Sequence, residues 1–124
     1  MIAADTSALS AFVSGQSGAD VTRIAEALSS GELRLCPVVI TELLSDPGAS
    51  KILGPTISEI EILEMTDGYW RRAGESRRLL KARGLKANVA DALIAQSCID
   101  HYVALITRDK DFRHFAKHCG LKLA

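Results

Sequence analysis

The sequence contains no apolar run approaching the roughly 20 residues that a membrane-spanning helix needs, which excludes an integral helical membrane protein. Its start, Met1-Ile2-Ala3-Ala4-Asp5, lacks a basic n-region and meets an acid at once, so no secretory signal is expected. Cysteine is sparse. Cys36, Cys98 and Cys119 are odd in number, far apart and never in a C-x-x-C pair, which argues against a disulfide framework or a zinc ribbon. Reduced thiols in the cytoplasm are the simplest expectation. There is no G-x-S-x-G, no Walker A and no G-x-G-x-x-G, so serine-hydrolase, P-loop and dinucleotide-binding chemistry have no sequence support. Repeats, low-complexity tracts and linkers are missing too. The 124 residues are expected to form a single domain, 1–124, large enough to bury a core without staples.

What is present is ordinary in amount and uneven in placement. Nearly half of the residues are hydrophobic and about a quarter are charged, a globular profile. The formal net charge is zero. Residues 1–70, however, hold three Lys/Arg against ten Asp/Glu, net −7, and residues 71–124 hold twelve against five, net +7. This permits an anionic partner on one part of the surface. Arg71, Arg72, Arg77, Arg78, Lys81 and Arg83 project around most of a helix circumference, so a solvated helix explains them equally well.

The pattern alternates strands and helices. Strands are expected at Ile2–Ala4, Leu33–Cys36, Thr56–Leu63, Val103–Thr107 and, last and short, Leu121–Leu123. Helices are expected at Ala8–Val13, Asp20–Leu28 (apolar at i, i+3, i+4, i+7), Val38–Leu44 after Pro37, about 49–53, Thr66–Arg83, Asn88–Asp100 and Asp109–His118. Strands separated by helices predict an α/β fold, a parallel sheet with helices on both faces.

Ligands of open parallel sheets sit outside the carboxyl ends of the strands. Asp5 follows the first strand, Asp109 lies two residues beyond the fourth, and Asp91 opens the helix leading into it. Glu42 sits in the mostly apolar helix Val38–Leu44, where a carboxylate is costly to bury unless paired or bound to metal. Taken singly, Asp5 and Asp109 also serve as helix caps, and Asn88-x-x-Asp91 resembles a capping box. Taken together, four acids could converge on one edge. Clustered carboxylates stay ionised only around a cation, and an oxygen-only set without His or Cys suits Mg²⁺ or Mn²⁺ rather than Zn²⁺. His114 and His118 stand at i, i+4 with no third ligand, and a solvated basic face is the simpler reading of them than zinc. Tyr69 and Trp70 fit core anchors or base-stacking platforms equally.

Four segments in order carry a resemblance. Met1-Ile2-Ala3-Ala4-Asp5-Thr6-Ser7-Ala8-Leu9, Ile40-Thr41-Glu42-Leu43-Leu44, Asn88-Val89-Ala90-Asp91-Ala92-Leu93-Ile94-Ala95 and Leu105-Ile106-Thr107-Arg108-Asp109-Lys110-Asp111-Phe112 resemble the four acidic motifs of PIN-domain nucleases across essentially the whole chain. Ala3 and Ala4 replace bulkier strand residues, a departure expected to cost packing. The resemblance implies Asp5, Glu42, Asp91 and Asp109 as catalytic Mg²⁺/Mn²⁺ ligands, with Thr6, Ser7 or Thr107 assisting by hydrogen bonds near the metal. It leaves Asp111 open between an outer ligand and a helix N-terminal acid. The compact length looks like VapC-type toxins of toxin–antitoxin pairs. The implied activity is metal-dependent RNA endonuclease action, water attacking a phosphodiester, in a homodimer inhibited by a small antitoxin. Arg108 and Lys110, beside the acids, are the candidate RNA contacts. Two other readings stay open. One is a PIN-fold binding module without catalysis. The other is a receiver-like phosphoacceptor domain, disfavoured because Asp5 stands alone and no Asp ends the second or third strand.

Overall fold

The computed structural model describes all of residues 1–124. The elements run β1 (Ile2–Ala4), α1 (Thr6–Val13), α2 (Ala19–Ser30), β2 (Leu33–Leu35), α3 (Pro37–Ser45), α4 (Pro47–Ile57), β3 (Glu61–Ile62), α5 (Tyr69–Ala82), α6 (Val89–His101), β4 (Ala104–Ile106) and α7 (Phe112–Cys119). The four strands form one parallel sheet in the order β3-β2-β1-β4. Ile2, Ala3 and Ala4 pair with Ala104, Leu105 and Ile106 on one side, and Ile2 and Ala3 with Leu33 and Arg34 on the other. The expected last strand contributes a single parallel bridge, Leu105 to Leu123.

This order has a consequence for the site. The chain steps outward from β1 through β2 to β3, then returns past β1 to place β4 on its other side. Right-handed crossovers then put the connecting helices on opposite faces, with α1 to α4 packing among themselves, α5 to α7 likewise, and α3 also touching α6. The direction reverses between β1 and β4, so a crevice opens at their carboxyl ends. Covered on both sides, β1 is buried throughout, and Ala3 and Ala4 are wholly inaccessible. The core of 29 buried residues is continuous across both layers, with Leu9, Ile24, Leu35, Leu43, Leu80, Leu105, Phe112 and Phe115 among its largest members.

Most sequence expectations hold within a few residues, and the third strand is the clearest correction. Thr56–Leu63 is not one strand: α4 runs through Ile57, and only Glu61 and Ile62 pair. Asp46 accepts the Gly48 amide at 3.0 Å and Pro47 occupies the first turn, so α4 starts earlier than about 49. Leu53 and Ile57 are buried one helical turn apart, and Ile60 lies three residues further on. That spacing belongs to a helix and its exit turn, not to a period-two strand. The expected start of α5 at Thr66 moves to Tyr69, because Gly68 takes a left-handed conformation (φ 79°) before it.

All three cysteines are free. Tyr69 is a core anchor, its hydroxyl donating to the Leu93 carbonyl at 2.7 Å, while Trp70 is exposed. Arg72 and Arg77 of α5 are drawn into tertiary contacts, with Asp100 and with the Ala87 carbonyl. Part of the basic helix surface is therefore structural.

Candidate metal centre

The crevice between β1 and β4 is built around Asp5, which is 3% exposed. Its carboxylate caps α1 by accepting the Ala8 amide at 2.9 Å. It also accepts the Ser7 hydroxyl, at 2.8 and 2.9 Å on its two oxygens, and the Thr107 hydroxyl across the strand boundary. Those hydroxyls are engaged in turn. Ser7 Oγ accepts the Arg108 amide and Thr107 Oγ1 the Asp109 amide, both at 3.0 Å. The Asp5 backbone amide donates to the Ile106 carbonyl at 3.1 Å. Two hydroxyls thus tie the end of β1 to the loop after β4 and fix where Asp109 begins. Burial pushes the Asp5 carboxyl up from its ordinary value, the donors from Thr107, Ala8 and Ser7 pull against that, and the Asp109 charge adds to the rise.

Asp91, Asp109 and Asp111 each place a carboxylate oxygen within 4.8 Å of the other two. Asp91 projects from the first turn of α6. The expected capping box does not form: Asn88 is the N-cap but makes no side-chain cap bond, so Asp91 has no partner there. Asp109 does not cap α7 directly either. It accepts the Asp111 amide at 2.9 Å, closing a tight turn just before the helix, and Asp111 itself occupies the N-cap position without a side-chain cap bond. That turn swings Asp111 into the cluster. None of the hydrogen bonds around the crevice ends on Asp91. Burial, followed by the charges of Asp109, Asp111, Asp5 and Glu42, raises its carboxyl to about 6. All four other acids therefore act on Asp91 through their charge. Glu42 and Asp5 lie outside the tight triad but within its field, and Glu42 is half-buried and held by Thr6 Oγ1 at 2.7 Å.

Two charged side chains have placements the motifs did not indicate. Lys86, in the α5–α6 connection, pairs with Asp111 at 3.1 Å, and Asp109 and Asp91 also add to the rise in its ammonium pKa. Only its position two residues before Asn88 hinted at this. Arg108 points away from the acids. Its fork binds both oxygens of Asp20, at 2.6 and 3.1 Å, and also Gln16 Oε1 and the Ser17 carbonyl, so it fastens the α1–α2 connection to the loop carrying Asp109. Lys110 is exposed and makes no ion pair.

The donor set suits a hard divalent cation. It is made of carboxylate oxygens, without sulfur or imidazole. Burial and then the charges of its acidic neighbours lift the Asp91 carboxyl to about 6, and a cation beside these acids would lower the energy.

Residues 2–118 match the family described as the PIN domain. No curated protein matches the chain in sequence. Among solved structures, VapBC2 from Rickettsia felis, bound to a DNA fragment from its promoter, aligns with a TM-score of 0.78 at 20% identity, covering 100% of this chain and 98% of that one. VapBC-1 from nontypeable Haemophilus influenzae aligns at 0.76 and 18%, covering 100% and 97%. DNA-bound VapBC from Salmonella typhimurium aligns at 0.75 and 16%, covering 100% and 98%. At such identities the structural likeness speaks for the fold, and the family match extends over nearly every residue that builds the sheet and the crevice: the chain belongs to the PIN domain family.

Proposed function

We propose that this protein is a Mg²⁺- or Mn²⁺-dependent RNA endonuclease, the toxin of a toxin–antitoxin pair. The observation that carries the reading is the grouping of Asp91 with Asp109 and Asp111 at the β1/β4 switch point, where burial and then the charges of Asp109, Asp111, Asp5 and Glu42 raise the Asp91 carboxyl to about 6 with no hydrogen-bond donor of its own. Asp5, Glu42, Asp91 and Asp109 are the proposed ligands. Asp111 is a fifth acid within reach, currently paired with Lys86.

When bound, the divalent ion supplies water activation at neutral pH and charge stabilisation at the phosphodiester. The chain's own residues prepare that chemistry. Ser7 and Thr107 hold Asp5 in one orientation and Thr6 holds Glu42, so the acids need little rearrangement. Lys86 is close enough to Asp111 to exchange a carboxylate partner for a phosphate oxygen. Lys110 remains a proposed RNA contact. Arg108 is a weaker one, because its donors already have protein partners.

The toxin reading is supported by the full-length likeness to chains of VapBC assemblies. By the same analogy a cognate antitoxin and a homodimer are proposed, in a single domain acting in the cytoplasm. No helix is long and apolar enough to cross a membrane. The decisive experiment is cleavage of a mixed RNA substrate with Mg²⁺, with Mn²⁺ and with chelator, wild type beside Asp91→Asn. Metal-dependent cleavage lost in the variant is expected. Equal cleavage by both proteins would overturn the assignment.

A further inference from the structure

The α7 surface carries cations that the fold does not use. Ion pairing in this structure consumes the N-terminus, Arg34, Arg72, Lys86 and Arg108, and leaves Lys110, Arg113, Lys117 and Arg83 without a carboxylate. Phe112 and Phe115 turn α7's apolar side into the core, while Arg113 and Lys117, four residues and about 6 Å of helix apart, stand exposed outside.

These cations line two open recesses that share one wall residue. The first, about 210 Å³, is bounded by Thr107, Arg108, Asp109, Lys110, Arg113 and Leu123, and so touches one acid of the carboxylate cluster, Asp109. The second, about 620 Å³, is bounded by Leu85, Arg113, His114, Ala116, Lys117 and His118 and contains no acid. Arg113 belongs to both walls. Along these walls the cations run from Lys110, next to Asp109, through Arg113 to Lys117 and the two histidines. The field there is positive: after burial, the charges of Arg83, Lys117 and His114 are what hold the His118 imidazolium below its ordinary range.

We infer that the recessed face from Lys110 through Arg113 to Lys117 is the track along which the phosphate backbone of a single-stranded RNA runs away from the carboxylate cluster. The identity of the strand rests on the nuclease reading above, and the track itself rests on the unpaired cations and the shared wall. Cations without protein partners gain most from neutralising phosphates, whose counterions are released on binding. Continuity with the site favours RNA over an acidic protein segment, because a cleaved phosphodiester has to continue on either side of the acids.

The test uses the full chain carrying Asp91→Asn, so that RNA survives, and a short fluorescein-labelled RNA of mixed sequence read by anisotropy across a salt series. Arg113→Glu and Lys117→Glu are each compared with Arg23→Glu, an exposed position on α2. Each α7 reversal is expected to weaken binding by about tenfold and to flatten the salt dependence by about 0.7 in log–log slope, the amount per phosphate contact on a single strand. Arg23→Glu is expected to change neither. Equal affinity in all three proteins would overturn the track, as would polyglutamate competing as well as RNA does. Cleavage by the otherwise wild-type chain separates the two ideas. If it cleaves RNA and the α7 reversals leave kcat/KM untouched, the track fails and the nuclease reading stands. If it binds RNA through α7 but cleaves none under any divalent metal, the nuclease reading fails and the track stands.

Discussion

Neutralising Asp91 should make the metal-free protein more stable while destroying its activity. A carboxyl that titrates at about 6 rather than 3.8 is charged at neutral pH against the preference of its surroundings. Two-odd pH decades correspond to roughly 3 kcal/mol. Asp91 is only half-buried, and solvent screening cuts this to about 1.5 kcal/mol. The folded-state value is the raised one, so the native protein binds more protons than the unfolded chain between about 4 and 6. The penalty on the wild type is therefore complete above pH 6, fades as pH falls through that window, and is gone below about 4. Asn has nearly the same shape and no charge. In chelator at pH 7.5, Asp91→Asn should melt about 5 °C above the wild type, and the gap should close by pH 4. Adding Mg²⁺ or Mn²⁺ should invert the order, raising the wild-type Tm by the binding linkage and moving the variant little. Thermal melts by circular dichroism across pH, with and without metal, read all of this without an activity assay. A variant less stable than wild type in chelator, or a gap that ignores pH, would refute the electrostatic argument.

Other side chains give distinct signatures. Thr107→Val removes a donor from buried Asp5 and an acceptor from the Asp109 amide, and should cost about 1–3 kcal/mol, seen as a lower denaturation midpoint together with weaker metal affinity. Thr6→Val should leave the midpoint within about 1 kcal/mol but weaken metal binding severalfold by calorimetry, because Glu42 loses its one positioning bond. Arg108→Glu and Lys110→Glu should part company. The first breaks the fork to Asp20 and Gln16 and lowers Tm, and the second leaves Tm unchanged and reduces RNA cleavage. Equal melting of the two variants would remove the clamp role given to Arg108.

The sequence was informative wherever a candidate acid is tied to a strand end. Asp5 and Asp109 were placed by adjacency to apolar runs, and both lie where the switch-point rule puts ligands. Glu42 stood out because a charge in an apolar helix demands an explanation, and Thr6 supplies a partner for it. Three features were hidden for specific reasons. Asp111 was left open between an outer ligand and a helix N-terminal acid, and it takes the N-cap position and joins the triad at once through a turn made by the Asp109 side chain, which composition does not reveal. Arg108 reads as a free cation beside the site because its partner, Asp20, is 88 residues away in sequence. The third strand was overlong because Ile57, Ile60 and Ile62 look alternating until the three-residue step from 57 to 60 is counted, and that step belongs to the end of α4.

Burial raises the carboxyls of both Asp5 and Asp91 at one edge of the sheet, yet only Asp5 is met by hydrogen-bond donors, which leads to a last prediction. Asp5 is met by the Ala8 amide and by the hydroxyls of Ser7 and Thr107, all donating. Each hydroxyl is already oriented, because it accepts a backbone amide from the loop after β4. A carboxylate satisfies this environment with acceptors alone. Asparagine offers one acceptor and turns an NH₂ group toward hydroxyls whose lone pairs are partly taken, so Asp5→Asn leaves buried polar atoms mismatched and should cost about 1–3 kcal/mol. Asp91, ringed by negative charge and without a donor, gains from the same change. Asparagine should therefore lower the melting temperature at position 5 and raise it at position 91, in chelator at neutral pH. Both variants should lose metal-dependent cleavage. If both substitutions move Tm in the same direction, the hydroxyl-bound acid and the cation-demanding acid are not distinct, and the division of labour derived from their hydrogen bonds is wrong.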